Sequence, residues 1–342
     1  MICFAWWGFP QYAARCVGAF VSDATEDVSV VATRPAVPVS GMEELCKCRV
    51  VWIEPNDTRP LSLLLGEVPR VIVTSGWSVP AFNRYIREIK RNGGKVVAMV
   101  DNNFVLTFKE CLRALRFRIF LKRKYDSFLV PGKAGRQLLQ FYGVNKKKIT
   151  EGIYSADSEL FFDGRQLEER SKRVVYVGQF IERKNVLRLV EAFAEAVKCN
   201  EEEWELHLYG SGPLKETLCA MGGKNVFVHD FIQPEQLPEV YRNARIFCLP
   251  SLEEHWGLVV HEAALCGCIL LLSRNVGAAE DFLTNGVNGF VFNPNRQKDM
   301  VTALKKTFGL GIEDLRIAQA ESVRRARMVT INRFVEGVRL ML

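Results

Sequence analysis

The chain has no apolar run near the ~20 residues that a helix needs to cross a bilayer, so no membrane-spanning helix is expected. It has no C-x-x-C pair. Its ten cysteines include two C-x-C pairs, Cys46/Cys48 and Cys266/Cys268, with only four histidines, and this spacing suits neither a zinc site nor a disulfide framework. Reduced, mostly buried thiols are expected, in a cytoplasmic protein. The opening MICFAWWGFP is apolar but lacks a charged leader and a small-residue cleavage site, so no export signal is expected, which disfavours a secreted two-lobed receptor. A complete dinucleotide fingerprint is also missing. The G-x-G at Gly210 and Gly212 has no third glycine and does not follow the first strand, which disfavours a nicotinamide enzyme. No internal repeat or low-complexity tract interrupts the 342 residues.

What is present is ordinary for a globular protein of two domains: 48% of residues are hydrophobic and 25% are charged. The net charge of +7 is uneven, because residues 1–155 hold 23 Lys and Arg against 13 Asp and Glu, and the remainder 23 against 26. Only the first half is therefore expected to face something anionic. Short Val/Ile/Leu-rich runs recur along the chain. They cover 2–6, 28–33, 49–53, 70–74, 95–100 and 127–130, then 173–178, 205–210, 225–230, 245–250, 268–273 and 289–292. Continuous apolar strands alternating with amphipathic segments predict parallel sheets covered on both faces. Two such sets predict two doubly wound α/β domains, 1–155 and 156–326, with the helical stretch 327–342 returning to the first.

Ligands of open α/β sheets lie beyond the carboxyl ends of the strands, so the loops there are the candidates, with a cleft between the two domains as the expected site. After 173–177 comes GQFIERKN, where Arg183 and Lys184 can hold a diphosphate or simply form a solvated basic turn. After 205–209, Gly210 and Gly212 permit a tight turn. After 245–250 comes SLEEHWGLVVHEAALCGC. Gly257 is predicted to open a helix ending near Gly267, whose first N–H groups suit a phosphate or a polarised oxygen. Glu254 stands just outside that end, as a ligand contact or a partner of the helix dipole. Glu262 falls inside the helix among apolar residues and needs a partner, either sugar or ribose hydroxyls or a basic side chain.

The run VVYVGQFIERKNVLRLVEAF, then LHLYGSGPL, then VFVHDFIQPEQLPEVYRNARIFCLPSLEEHWGLVVHEAALCGC, then NVGAAEDFLTNGVNGFVFNP resembles the retaining glycosyltransferases of GT-B fold, in particular glycosyltransferase family 4. Glu254 and Glu262 match that family's pair of glutamates with seven residues between them. The resemblance covers about half the chain. It implies a nucleotide-sugar donor held mainly by the second domain, with Lys184 at the diphosphate, Glu262 at the ribose and Glu254 at the transferred sugar. It also implies that the N–H groups of Trp256, Gly257 and Leu258 meet phosphate or sugar oxygens. Phe231 and Ile232 would flank the base, and His255 belongs to the same donor-binding set, as do Gln179, Arg183, Gly210 and Gly212. No bound metal or other cofactor is implied, and the sequence contains no D-x-D triplet.

Two positions depart from the family. Gln179 stands where an arginine is frequent, with Arg183 as a substitute. All four histidines lie in the second half, so the first-domain histidine of many members is absent, and the comparable loop is MVDNNF, with Asp101 and Asn102. Asp101 is expected either to bond a sugar hydroxyl or to cap a turn. Gly8, after the first strand, can let the backbone approach the donor phosphate. The stretch KECLRALRFRIFLKRK, 109–124, interleaves seven cations with apolar residues. It reads as a helix on an anionic membrane or as a solvated helix, and no motif supports a nucleic-acid groove. A membrane surface suits a lipid-linked glycan acceptor, as in bacterial surface polysaccharide assembly, at the inner face of the cytoplasmic membrane. A nucleotide-sugar 2-epimerase and a non-catalytic sugar-nucleotide-binding protein remain open beside the transferase.

Overall fold

The computed structural model describes residues 1–35, 41–77, 79–105, 107–198 and 203–342, and Cys199 lies outside them. They form two compact units, Met1–Ser155 together with Thr330–Leu342, and Ala156–Val329. The first unit holds β1 (Ile2–Trp6), β2 (Val28–Ala32), β3 (Arg49–Trp52), β4 (Val71–Ser75), β5 (Lys95–Met99), β6 (Ser127–Val130) and β7 (Ile149–Glu151). Every pairing is parallel, in the order β3-β2-β1-β4-β5-β6-β7. Six of these strands fall on the six apolar runs of the first half. β7 is a short edge strand, ITE, with a single apolar residue to announce it.

The period of two along each strand divides the apolar side chains between the faces. Ile2, Phe4 and Trp6 of β1 join one buried cluster with Val30, Val73, Val97 and Leu129, while Cys3 and Ala5 join the other with Val31, Ile72, Val96 and Phe128. Helices α1 (Gln11–Val21), α2 (Met42–Cys46), α3 (Leu61–Leu65), α4 (Pro80–Arg91), α5 (Phe108–Arg116) and α6 (Lys133–Phe141) connect the strands.

The second unit repeats the plan with β8 (Ser171–Val177), β9 (Glu205–Tyr209), β10 (Val226–His229), β11 (Ala244–Leu249), β12 (Ile269–Ser273) and β13 (Gly289–Phe292), all parallel, in the order β10-β9-β8-β11-β12-β13. Its helices are α7 (Val186–Val197), α8 (Lys215–Met221), α9 (Leu237–Asn243), α10 (Leu258–Leu265), α11 (Ala279–Phe282), α12 (Gln297–Phe308) and α13 (Ile312–Arg327). The last helix, α14 (Ile331–Arg339), belongs to the first unit, where Phe334 stacks on Phe4 of β1 at 5.9 Å between ring centres.

The strand order reverses direction between β1 and β4 in one sheet and between β8 and β11 in the other. At such switch points the two following loops diverge, leaving a crevice for a ligand at the carboxyl edge. Among the described residues, no helix is long and apolar enough to cross a membrane. The nine described cysteines are free thiols, six of them buried.

Candidate active site

The loops that follow β8 and β11 meet at the switch point of the second unit. Leu252 N–H donates to Arg183 O at 2.9 Å, and the Arg183 guanidinium donates to Glu253 O at 2.6 Å. Asn185, held at φ 58° where asparagine tolerates the left-handed region, donates from its side chain to Pro250 O at 3.2 Å and Pro294 O at 3.1 Å. These bonds set Lys184 beside Glu254. Their side chains, each 12% exposed, form an ion pair, and Ser251 Oγ donates to the same carboxylate oxygen at 3.3 Å.

Glu254 is fixed from its other side as well. Its N–H donates to Asn275 O at 3.3 Å, and its carbonyl accepts from Gly277 N–H at 3.0 Å. Trp256 O accepts from Ala278 N–H at 3.0 Å, and Trp256 is buried with its ring edge-on to Phe282. The loops after β8 and β11 therefore hold the carboxylate, and the loop after β12 holds the backbone that carries it.

Gly257 opens α10 at φ 90°, a region where an L side chain is strained. A Cβ there would lie 3.2 Å from both Glu254 Cγ and Leu249 Cδ2. Glycine thus lets the helix begin directly against the carboxylate. Among the described residues, none accepts from the N–H groups of Trp256, Gly257 or Leu258, so these donors point a positive partial charge out of the helix start.

Glu262 lies one turn inside α10 and is buried. Its partner is neither lysine nor arginine. Tyr241 of α9 donates its hydroxyl to Glu262 Oε2 at 3.1 Å. Burial pushes the Glu262 carboxyl up to about 7, against a smaller downward pull from the Tyr241 bond. Burial together with the neighbouring carboxylate pushes the Tyr241 hydroxyl well above its ordinary range.

Arg170, 2% exposed, holds this region together. Its guanidinium donates to the carbonyls of Tyr241 at 3.3 Å, Ala244 at 3.2 Å and Cys266 at 2.7 Å. Those carbonyls end α9 and α10, so one cation satisfies the C-termini of both helices that carry Tyr241 and Glu262. Neither Arg170 nor Tyr241 has a local signal in the sequence, because their importance comes from packing.

The glycines of the loop after β9 have a packing cause. A Cβ on Gly210 would lie 1.9 Å from Gly178 O, and one on Gly212 2.6 Å from Phe180 O. The loops after β8 and β9 therefore touch through their backbones, with Phe180 N–H donating to Ser211 O at 2.8 Å. Gln179 and Arg183 are exposed, and Tyr176 donates to Gln179 O at 2.8 Å. Phe231 is exposed just past β10 with Ile232 half-buried beside it, and His255 lies 3.3 Å from the Glu253 carboxylate.

His261 is fully buried and structural. Its Nδ1 accepts from Ala156 N–H at 3.0 Å, which makes Nε2 the donor to Ala326 O at 3.0 Å.

In the first unit, Gly8 adopts φ 58°, and its N–H donates to Thr33 Oγ1 at 2.7 Å. Trp7 N–H donates to Ser75 Oγ at 2.7 Å, which ties the loop after β1 to the end of β4 at that sheet's switch point. Asp101 accepts from the Tyr154 hydroxyl at 3.2 Å, and Tyr154 meets Tyr12 edge to face. Among the described residues, no group of three or more His, Cys, Asp or Glu side chains is placed to hold a metal ion.

Residues 157–321 match the family model of glycosyl transferases group 1. These residues are a group 1 glycosyltransferase domain. The match takes in Lys184, Glu254, Gly257 and Glu262 and nearly all of the second unit. Among curated relatives, a sulfoquinovosyl transferase, SQD2, of Arabidopsis thaliana is 29% identical over 202 residues, which are 54% of this chain and 38% of the relative. A D-inositol 3-phosphate glycosyltransferase of Rhodococcus jostii is 28% identical over 188 residues, 49% of this chain and 41% of the relative. The chain thus spans less than half the length of either. The solved structure of Anabaena Alr3699/HepE in complex with UDP superposes with a TM-score of 0.75 over 99% of this chain and 98% of that one, at 14% identity. That likeness shows the fold, which is GT-B.

Proposed function

We propose that the protein is a retaining, metal-independent glycosyltransferase of hexosyl type. It moves a sugar from a nucleotide-sugar donor to a glycan or lipid-linked glycan, in surface polysaccharide assembly on the inner face of the cytoplasmic membrane. The observation that carries the reading is the grouping, at the switch point of a group 1 domain, of Lys184, Glu254 and three N–H groups from which no described residue accepts, with Glu262 one turn further along the same helix.

The chemistry follows from that grouping. The bond from the anomeric carbon to the diphosphate breaks, and charge grows on the leaving phosphate. The Lys184 ammonium and the N–H groups of Trp256, Gly257 and Leu258 meet that charge without reorganising, which lowers the barrier. A diphosphate beside Lys184 competes with Glu254 for the ammonium. The Glu254 carboxylate then accepts from a hydroxyl of the transferred sugar. Glu262 accepts from the ribose hydroxyls, which favour its ionised form, and Phe231 and Ile232 flank the base. Retention requires the acceptor oxygen to attack from the face that the diphosphate leaves, so the departing phosphate oxygen takes the acceptor's proton. Asp101 and Gly8 of the first unit are proposed to serve the sugar and the phosphate.

The test is transfer from a nucleotide-sugar in the presence of a chelator, with the anomeric configuration of the product read by NMR. Retention is expected, and Glu254→Gln is expected to lower turnover on the order of a hundredfold. An inverted product would overturn the mechanism. Donor turnover in the absence of acceptor would favour the epimerase reading instead.

A further inference from the structure

Helix α5 continues through a π-helical turn, Phe117–Leu121, into a 3₁₀ turn, Lys122–Lys124. One side of this segment is core. Glu110, Ala114 and Phe117 are buried, Leu121 packs against the same cluster, and Glu110 accepts from the Tyr142 hydroxyl and pairs with Arg113. The opposite side is expected to be polar, because it faces water. It is apolar instead. Phe108, Leu112, Leu115 and Ile119 recur at the spacing of one helical stripe, Phe120 lies beside them, and all five are between 53% and 79% exposed. The stripe runs for about 16 Å at the rise of a helix.

Cations flank the stripe. Lys109, Arg116, Lys122, Arg123 and Lys124 make no ion pair among the described residues, and the only acid of the segment, Glu110, is turned inward. A second basic triplet joins them. Lys146–Lys148 form a 3₁₀ turn that ends immediately before β7, while Lys122–Lys124 end shortly before β6. Phe128 of β6 pairs with Ile149 of parallel β7, so both triplets lie at the same edge of adjacent strands.

We infer that this face is an interfacial docking surface for an anionic lipid bilayer. The stripe of Phe108, Leu112, Leu115, Ile119 and Phe120 enters the headgroup boundary, and the two basic triplets engage the anionic headgroups. The charge complementarity decides the occupant. An apolar stripe bordered by uncompensated cations matches a surface that is apolar beneath an anionic layer, and stable anchoring takes both signals together. A nucleic acid would leave the five apolar side chains in water. The inference deepens the lipid-linked acceptor proposed above by naming the surface that brings the protein to the membrane.

The test is sedimentation of the full chain with vesicles of phosphatidylcholine and phosphatidylglycerol at 7:3, and with phosphatidylcholine alone, without donor or acceptor. Binding to the anionic vesicles is expected to be at least tenfold tighter than to the neutral ones and to weaken with added salt. Leu112→Gln/Leu115→Gln/Ile119→Gln is expected to lose at least tenfold in binding. Lys122→Gln/Arg123→Gln/Lys124→Gln and Lys146→Gln/Lys147→Gln/Lys148→Gln are each expected to lose severalfold. All these side chains are exposed, and unchanged thermal unfolding confirms that the variants fold. Equal binding to both vesicle types, or variants that bind like the parent, would overturn the inference. So would sedimentation velocity showing a dimer that the apolar variant abolishes, since a second copy would then cover the stripe. Thermal stabilisation by nucleoside diphosphates, measured on the same variants, is expected to match the parent. That readout separates failure of this surface from failure of the donor site.

Discussion

Glu262→Gln is expected to stabilise the protein at neutral and alkaline pH while impairing the proposed donor site. Glu262 is 8% exposed, and burial lifts its carboxyl to about 7. In the unfolded chain a glutamate titrates near 4.3. The folded value is the higher, so between the two the folded state binds the extra proton. The stability this group contributes is fully present below about pH 4.3 and is lost as pH rises through about 7, at ~1.4 kcal/mol per pH unit. Across the window the loss comes to about 4 kcal/mol. Glutamine has the same shape, keeps an oxygen to accept from the Tyr241 hydroxyl and does not ionise. The variant is therefore expected to exceed the parent by about 4 kcal/mol near pH 8, a rise of roughly 8–16 °C in Tm for a unit of this size, and by little near pH 4.5. Thermal unfolding of both proteins at the two pH values and equal salt measures the difference. A gap that is the same at both, or a variant less stable at pH 8, would refute the reasoning. The gain would accompany a loss of nucleoside diphosphate affinity, the pattern expected when a strained group is kept for function.

Other consequences follow from the same geometry. Lys184→Met leaves the Glu254 carboxylate half-buried without its ammonium and is expected to cost roughly 2–4 kcal/mol, with Lys184→Met/Glu254→Gln recovering most of it; denaturant unfolding of the two variants compares them. Gly210→Ala would place a Cβ 1.9 Å from Gly178 O and is expected to destabilise by more than about 3 kcal/mol, whereas Gly223→Ala, with nothing within 4 Å, is expected to change little in the same assay. His207 and His229 lie 2.9 Å apart, Nδ1 to Nε2, and burial lowers both pKa values. Their folded values lie below the unfolded one, so the stability they contribute is full above about pH 6.5 and is lost as pH falls below it. His229→Gln is expected to flatten that acid limb relative to the parent in thermal unfolding between about pH 7 and 5.

The strands were legible because buried parallel strands are written as uninterrupted Val, Ile and Leu. β12, ILLLS, is an example, and only the three-residue edge strand β7 carried no such run. The helix opened by Gly257 was legible from its glycine and from Glu254 and Glu262 around it. The loop geometry was not. Nothing local in the sequence says that Lys184 pairs with Glu254 seventy residues away, that Tyr241 is the partner of Glu262, or that Arg170 closes two helix ends. These contacts depend on strand order, which brings β8 next to β11, and strand order is a property of the whole sheet. Gly210 and Gly212 read as the glycines of a tight turn, but nothing local said that direct backbone contact with the loop after β8 requires both. The basic stretch read as an imperfect amphipath because its apolar residues occupy two opposite sides of one helix. Only the fold shows which side is core and which is left in water.

The central claim is that the second unit holds a nucleoside diphosphate against Lys184 and the start of α10. Thermal stabilisation of the full chain by UDP, GDP, ADP, CDP and dTDP, without added metal, tests it most directly. One base is expected to stabilise by about 2.7 kcal/mol at a hundred times its Kd, with the effect lost in Lys184→Met/Glu254→Gln. Five nucleotides without a shift, or a shift that this double variant leaves unchanged, would contradict it.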